Sequence, residues 1–419
     1  MPLTRMSSPT STVLTIATEE YTVMDTLTSG TPAFNGAIPL CEPELRGNEW
    51  KYIQECLDTN WVSSAGPYVD RFECMVADYI GAEYAVATVN GTAALHISLL
   101  VAGVQPDDEV LVSTLTFIAP ANAIRYVGAW PVFIDVEPDY WQMDAQKVVD
   151  FLEKECEWRR GALINKSTGR RVKAILPVHI LGHPVDMDSI IEVARDNELV
   201  VIEDASESLG AKYKDQMVGH LGDIACFSFN GNKVITTGGG GMIVTDNETW
   251  AHRAVYLTTQ AKDNPAEYIH NEIGYNYRLT NIQAAMGVAQ MEQLDDFIEK
   301  KRQIALEYSR ELGEMPQLSV MREAEFAFSS YWLYTIVVDG KDRHRESRSI
   351  ISQLNKRHIQ SRPLWLPVHR QRMYRDCRFY GLANADRLYA SAIQLPSSVG
   401  ITAQELEYVI GSLQAICLT

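Results

Sequence analysis

The sequence predicts an α/β fold built on a mainly parallel sheet, with a smaller α+β region after it. From Tyr84 to Glu203 short apolar runs alternate with helical patterns, and after about residue 320 that alternation gives way to a different texture. The chain is also long and apolar enough for a large core, with 419 residues of which 46% are hydrophobic.

Strands are expected at 84–89, 109–113, 132–135, 172–178 and 199–203, separated by helices at 93–101, 119–126, 145–152 and 186–195. Strands separated by helices imply a sheet covered on both faces. The segment 154–171, charged and containing Trp158, reads as a surface hairpin. One long amphipathic helix is expected over 281–301 as a bridge between domains. Beyond it come a strand at 331–338 and helices at 346–357 and 402–415. The expected organisation is an N-terminal arm over 1–36, rich in Ser and Thr, a large domain over 37–300 and a small C-terminal domain over 301–419.

Charge narrows the function. The chain carries 37 Lys plus Arg against 54 Asp plus Glu, a formal net charge of −17. That argues against a protein that reads a nucleic-acid backbone. Seven scattered cysteines without a C-x-x-C pair suit a reduced compartment. No basic and apolar leader of the secretory kind opens the chain, and no run of apolar residues is long enough for a membrane span; a cytoplasmic protein without membrane, nucleic-acid or metal partners is expected.

In open α/β sheets, ligands bind beyond the carboxyl ends of strands, and polar residues there deserve scrutiny. Asn90-Gly91-Thr92-Ala93-Ala94 follows a strand and opens a helix, which makes it either a plain turn or an anion site with open N–H groups. Asp204 ends an apolar strand and needs a compensating partner, either a cationic ring nitrogen of a ligand or the N–H groups of the next helix. Lys233 stands among apolar residues before the glycine run 238–241, where partial desolvation would make its amine a nucleophile toward a carbonyl.

These blocks, with Thr116-Phe117-Ile118-Ala119, Phe227-Ser228-Phe229 and Gly274-Tyr275-Asn276-Tyr277-Arg278, resemble the DegT/DnrJ/EryC1/StrS family of nucleotide-sugar aminotransferases. The resemblance covers nearly all the chain from about Ile38. It implies the type I fold of pyridoxal-phosphate (PLP) aminotransferases, with PLP as cofactor and a homodimer whose active sites lie at the subunit boundary. Lys233 then matches the lysine that binds the cofactor covalently and later shuttles a proton, and Asp204 the carboxylate that keeps the pyridine nitrogen protonated. Phe117 resembles the aromatic that stacks on the ring. Thr92 and Ala93 match the phosphate cradle through backbone N–H groups, and Ser228 through its hydroxyl, with Gly91 and Asn230 counted among the cofactor contacts. Asn276 matches a residue reaching the phosphate from the other subunit, and Glu207 a side chain facing the ring.

For substrate, the resemblance implicates Trp61, Ser63 and Ser64 in one segment and Arg362 and His369 in another, with Arg278 and Lys262 as candidate cations for a diphosphate. His183 matches a turn beneath the cofactor. Within the family the motifs look closest to legionaminic-acid-type 4-aminotransferases and perosamine synthases. The first expectation is therefore transfer of an amino group from L-glutamate to UDP-2-acetamido-4-keto-2,4,6-trideoxyglucose, with GDP-4-keto-6-deoxymannose as the alternative sugar. Readings of other kinds are a dehydratase on the same scaffold, which would carry His where this chain has Lys233, and a catalytically silent PLP-binding regulator.

Overall fold

The computed structural model describes residues 36–417 except Pro265; the expected N-terminal arm lies, but for Gly36, outside the described residues. An eight-stranded sheet runs in the order Tyr84–Thr88, Gly241–Thr245, Ile224–Ser228, Val200–Asp204, Val172–Leu176, Glu109–Ser113, Trp130–Ile134, Arg378–Tyr380. Gly241–Thr245 is antiparallel to both neighbours, and every other pairing is parallel. Most residues on both faces of the central strands are buried, as a sheet sandwiched by helices requires. On one side Phe151, Leu152, Ile190 and Val193, from helices Ala145–Glu155 and Met187–Asp196, meet Leu111, Val132, Ile175 and Val201 of the sheet in one apolar cluster. Helix Gly91–Val101, apolar almost all round, packs against Ile224–Ser228 and Gly241–Thr245. The fold is thus an α/β arrangement, a large mixed-sheet domain with a smaller C-terminal α+β part.

That smaller part is an antiparallel sheet ordered Leu318–Val320, Thr335–Val338, Ala392–Gln394, Arg362–Pro363. Helix Arg343–Lys356 packs against it, and Ala403–Cys417 packs against that helix. The C-terminal region also reaches back: Arg378–Tyr380 pairs with Trp130–Ile134 at the edge of the large sheet.

Two expectations need correction. The single helix over 281–301 is two helices, Asn281–Met291 and Leu294–Leu312. At the break, the Glu292 carboxylate gathers Asn48 Nδ2 at 2.7 Å, Tyr52 Oη at 2.7 Å and Arg71 Nη2 at 2.9 Å. The strand over 331–338 begins only at Thr335, because Tyr331 adopts a left-handed φ of 45° that no strand accommodates. The hairpin over 154–171 is present as Cys156–Arg159 and Ala162–Asn165, turned at Arg160 and Gly161, both with positive φ.

Candidate active site

A cleft opens at the carboxyl ends of the central strands, and Trp332, Arg362 and Trp365 of the C-terminal part are among the residues that line it. Gly91, Thr92, Phe117, Asp204, Glu207, Ser228, Asn230 and Lys233 all line it. Residues spread over more than a hundred positions meet there because each follows the end of a strand in a parallel sheet.

Asp204 is the last residue of Val200–Asp204 and is 4% exposed. Burial raises its carboxyl above the ordinary aspartate range, against the opposing Ser206 hydrogen bonds, including Ser206 N–H at 3.0 Å, and the charge of Lys233. Its neighbour Glu203 lies on the other face, where burial is outweighed by the bond from His179 Nε2 at 3.1 Å and by backbone donors including Gly219 and Gly222, so its carboxyl lies below the usual range. Glu207, buried three residues on, accepts from Leu181 N–H at 2.9 Å and stands 3.5 Å from Lys233 Nζ. Burial raises its carboxyl as well, with the Lys233 charge opposing. Two buried carboxyls therefore share one cation within the chain, an arrangement that favours a further positive group in the cleft.

The anion end is built around Gly91. A Cβ there would stand 2.8 Å from Ser228 Cβ and 3.3 Å from the hydroxyl oxygens of both Ser206 and Ser228, so only glycine lets those hydroxyls close on the helix start. The Asn90 side chain caps the helix by accepting from Ala93 N–H at 2.8 Å, and Ala94 N–H bonds the Asn90 carbonyl at 3.1 Å. Gly91 and Thr92 keep the open N–H groups of the first turn. Ala93, expected in the cradle, gives its N–H to that cap and is not among the residues that line the cleft.

Other expected contacts also lie elsewhere. Arg278 holds both oxygens of Glu73, at 2.5 and 3.1 Å, which takes its guanidinium out of the cleft. His369 bonds Thr114 Oγ1 at 2.7 Å through Nδ1 and faces Asp386 at 3.5 Å through Nε2, serving as a strut. Trp61, Ser63 and Ser64 form an exposed loop whose carbonyls at 61 and 63 are held by Asn281. Asn276 is exposed and bridges to Thr259. Lys262 belongs to a separate shallow depression with Tyr268 and His270. His183 stacks on Tyr140 beneath the cleft without lining it. Arg362 does line the cleft, steadied by Gln394 Oε1 at 3.2 Å. Sequence reasoning missed Ser206, Asn232 and Trp332; an anion site flanked by a second serine just past Asp204 was a signal for the first alone.

The site suits pyridoxal phosphate on its own terms: a glycine-gated cradle of N–H and hydroxyl donors for a phosphate, an exposed aromatic in Phe117, a buried carboxylate wanting a cation, and a lysine amine inside the same cleft. Among the described residues no cluster of metal-ligating side chains occurs, and no helix is long and apolar enough to cross a membrane.

The model of the DegT/DnrJ/EryC1/StrS aminotransferase family matches residues 43–414. The chain is 41% identical over 376 residues to the GDP-perosamine synthase of Escherichia coli O157:H7, spanning 90% of this chain and 97% of that protein. It is 38% identical over 380 residues to the GDP-perosamine synthase of Caulobacter vibrioides, spanning 90% and 98%. Among solved structures, Spr1654 of Streptococcus pneumoniae in its PLP form superposes with a TM-score of 0.82 at 25% identity, covering 91% of this chain and 99% of that one. With fold, cleft and kinship in agreement, the chain belongs to the DegT/DnrJ/EryC1/StrS aminotransferase family and is an enzyme that works with pyridoxal phosphate.

Proposed function

We propose that the protein transfers the amino group of L-glutamate to carbon 4 of GDP-4-keto-6-deoxymannose, the reaction of a perosamine synthase. The observation that carries the sugar assignment is near-full-length kinship at 38–41% identity to proteins named GDP-perosamine synthase. It moves the preference from the UDP-linked acetamido sugar expected first to the GDP-linked alternative.

When bound, pyridoxal phosphate supplies a carbonyl that can carry an amino group and a ring that takes up electron density. The residues divide the rest of the work. Gly91 and Thr92 N–H groups with the Ser206 and Ser228 hydroxyls would hold the phosphate. Asp204, held by Ser206, would keep a proton on the ring nitrogen by offering a buried negative charge, and Phe117 would be the aromatic against the ring. Lys233 Nζ lies in the cleft beside Glu207, free to take a proton from one carbon and return it to another. Arg362, which lines the same cleft, would be the cation available for a substrate carboxylate or diphosphate.

The same reading makes the enzyme a cytoplasmic homodimer with shared sites. Asn276 and Trp61, Ser63 and Ser64 sit on the surface of their own chain, and 82% exposed Ile273 and 51% exposed Trp61 mark apolar surface beside them. Their place is in the partner's cleft, and mixing inactive Lys233→Ala with inactive Asn276→Ala chains should restore activity in hybrid dimers.

The deciding test offers GDP- and UDP-linked 4-keto-6-deoxy sugars with glutamate and follows 2-oxoglutarate. Turnover is expected with GDP-4-keto-6-deoxymannose. Turnover only with UDP-linked sugars would overturn the carrier assignment, and turnover only between amino acids and keto acids would overturn the sugar reading.

A further inference from the structure

Trp332 sits under Lys233 and has no role in the account so far. Its indole ring centre is 4.1 Å from Lys233 Nζ, and the residue is only 3% exposed although it borders the cleft. The indole Nε1 donates to the carbonyl of Asn232, the residue before Lys233, at 2.6 Å. Cys41 Sγ reaches the same carbonyl at 3.3 Å. One side chain thus grips the backbone from which the lysine springs and offers a π face to the lysine's amine.

The surroundings fix Trp332 in turn. Lys301, buried on helix Leu294–Leu312, donates from Nζ to the Trp332 carbonyl at 3.0 Å and to the Ser397 carbonyl at 2.7 Å. Tyr331 turns left-handed just before it, tied by its N–H to Ser329 Oγ at 3.1 Å. Gly182, at φ +92°, passes so close that a Cβ would stand 2.7 Å from the backbone nitrogens of Tyr331 and Trp332. A turn held this firmly, in a conformation non-glycine residues seldom adopt, marks a residue whose position matters.

We propose that Trp332 is a positioning residue for the Lys233 amine: its N–H sets the turn that carries Lys233, and its ring face holds the protonated amine in the cleft between transfers. A π face attracts an ammonium and not a neutral amine, so it steadies Lys233 when it carries a proton and releases it when the proton leaves. The inference rests on the reading of Lys233 as the cofactor-bearing lysine.

The test uses apoenzyme of wild type, Trp332→Phe and Trp332→Leu, each labelled with trace acetic anhydride. The neutral amine attacks the anhydride carbonyl, acetate leaves, the nitrogen gives up a proton, and peptide mass spectrometry compares Lys233 with surface lysines. Removing a desolvated cation–π contact should raise Lys233 labelling near pH 7 by roughly two- to thirtyfold in Trp332→Leu, with Trp332→Phe in between and the difference vanishing at alkaline pH. In holoenzyme, the deuterium isotope effect at the glutamate α-carbon should grow while KM for the nucleotide sugar stays put. Unchanged labelling in Trp332→Leu, or an increase equal at every pH as from a merely loosened cleft, would overturn the proposal. Circular dichroism checks folding, and Trp332→Phe serves if the leucine variant does not fold. Borohydride reduction of wild-type holoenzyme tests the underlying reading separately: a cofactor label elsewhere than Lys233 removes that reading, whereas a label on Lys233 with unchanged acetylation removes only this inference.

Discussion

Neutralising Asp204 should have opposite effects on the empty and the loaded protein. Asp204→Asn keeps the shape and an oxygen to accept from Ser206 N–H, now 3.0 Å away. In the empty cleft the ionised carboxylate is buried with one cation shared between it and Glu207, and such a charge costs a protein several kcal/mol before compensation. Crediting the Ser206 bonds and half of Lys233, the variant apoenzyme should gain about 1–3 kcal/mol, a rise in Tm on the order of 1–2 °C per kcal/mol at this length. With cofactor bound, the loss of a buried charge partner should cost about 3–5 kcal/mol, or roughly 10²- to 10³·⁵-fold in cofactor affinity.

The pH dependence has a definite sign. Because the folded carboxyl is raised, the folded chain retains a proton that the unfolded chain has released, and wild-type stability falls as pH climbs from about 4 through the raised folded value. The advantage of Asp204→Asn should therefore be absent below about pH 4 and grow across the acid range. Calorimetry of apo and holo forms at several pH values, with cofactor affinity by spectroscopic titration, reads both effects. An apo variant that melts lower than wild type at neutral pH, or a holo variant that holds its cofactor as tightly, would refute the reasoning.

Gly91→Ala puts a methyl 2.8 Å from Ser228 Cβ, so pyridoxal phosphate should bind about tenfold more weakly by equilibrium dialysis while pyridoxal without phosphate is unaffected. His183, with burial pushing it down to about 4 against the opposing Pro184 carbonyl bond, is held neutral in the fold; stability present above about pH 6.5 should be lost as pH falls toward 4, on the order of 3 kcal/mol, and urea midpoints of His183→Asn should show a shallower acid limb.

Much of this molecule could be read before it was seen. Glu109–Ser113 and Ala119–Tyr126 fall where their runs of apolar residues place them, and the other strands and helices expected between 84 and 203 begin and end within a few residues of expectation, whereas the sheet strands Ile224–Ser228, Gly241–Thr245 and Arg378–Tyr380 were not anticipated. Asp204, Glu207, Ser228 and Lys233 converge as strand-end residues of such a sheet should. What escaped depends on pairings far apart in sequence. Arg278 looks free until Glu73, 205 residues earlier, is beside it. His369 looks like a ligand until Thr114 takes its Nδ1. Nothing near Trp332 announces that it will underlie a lysine 99 positions upstream, since left-handed Tyr331 sits inside what reads as strand. Ala93 was different, because the signal was local: an asparagine one residue before a helix commonly spends its side chain on the third amide.

The strand Arg378–Tyr380 lengthens the wait before the protein can finish folding. During synthesis the flank of Trp130–Ile134 stays bare until some 250 further residues have left the ribosome, and an uncovered strand is an invitation to another chain. A fragment ending near residue 300 would keep that bare flank permanently and be prone to clump, and its remainder would emerge without the sheet it was shaped to complete.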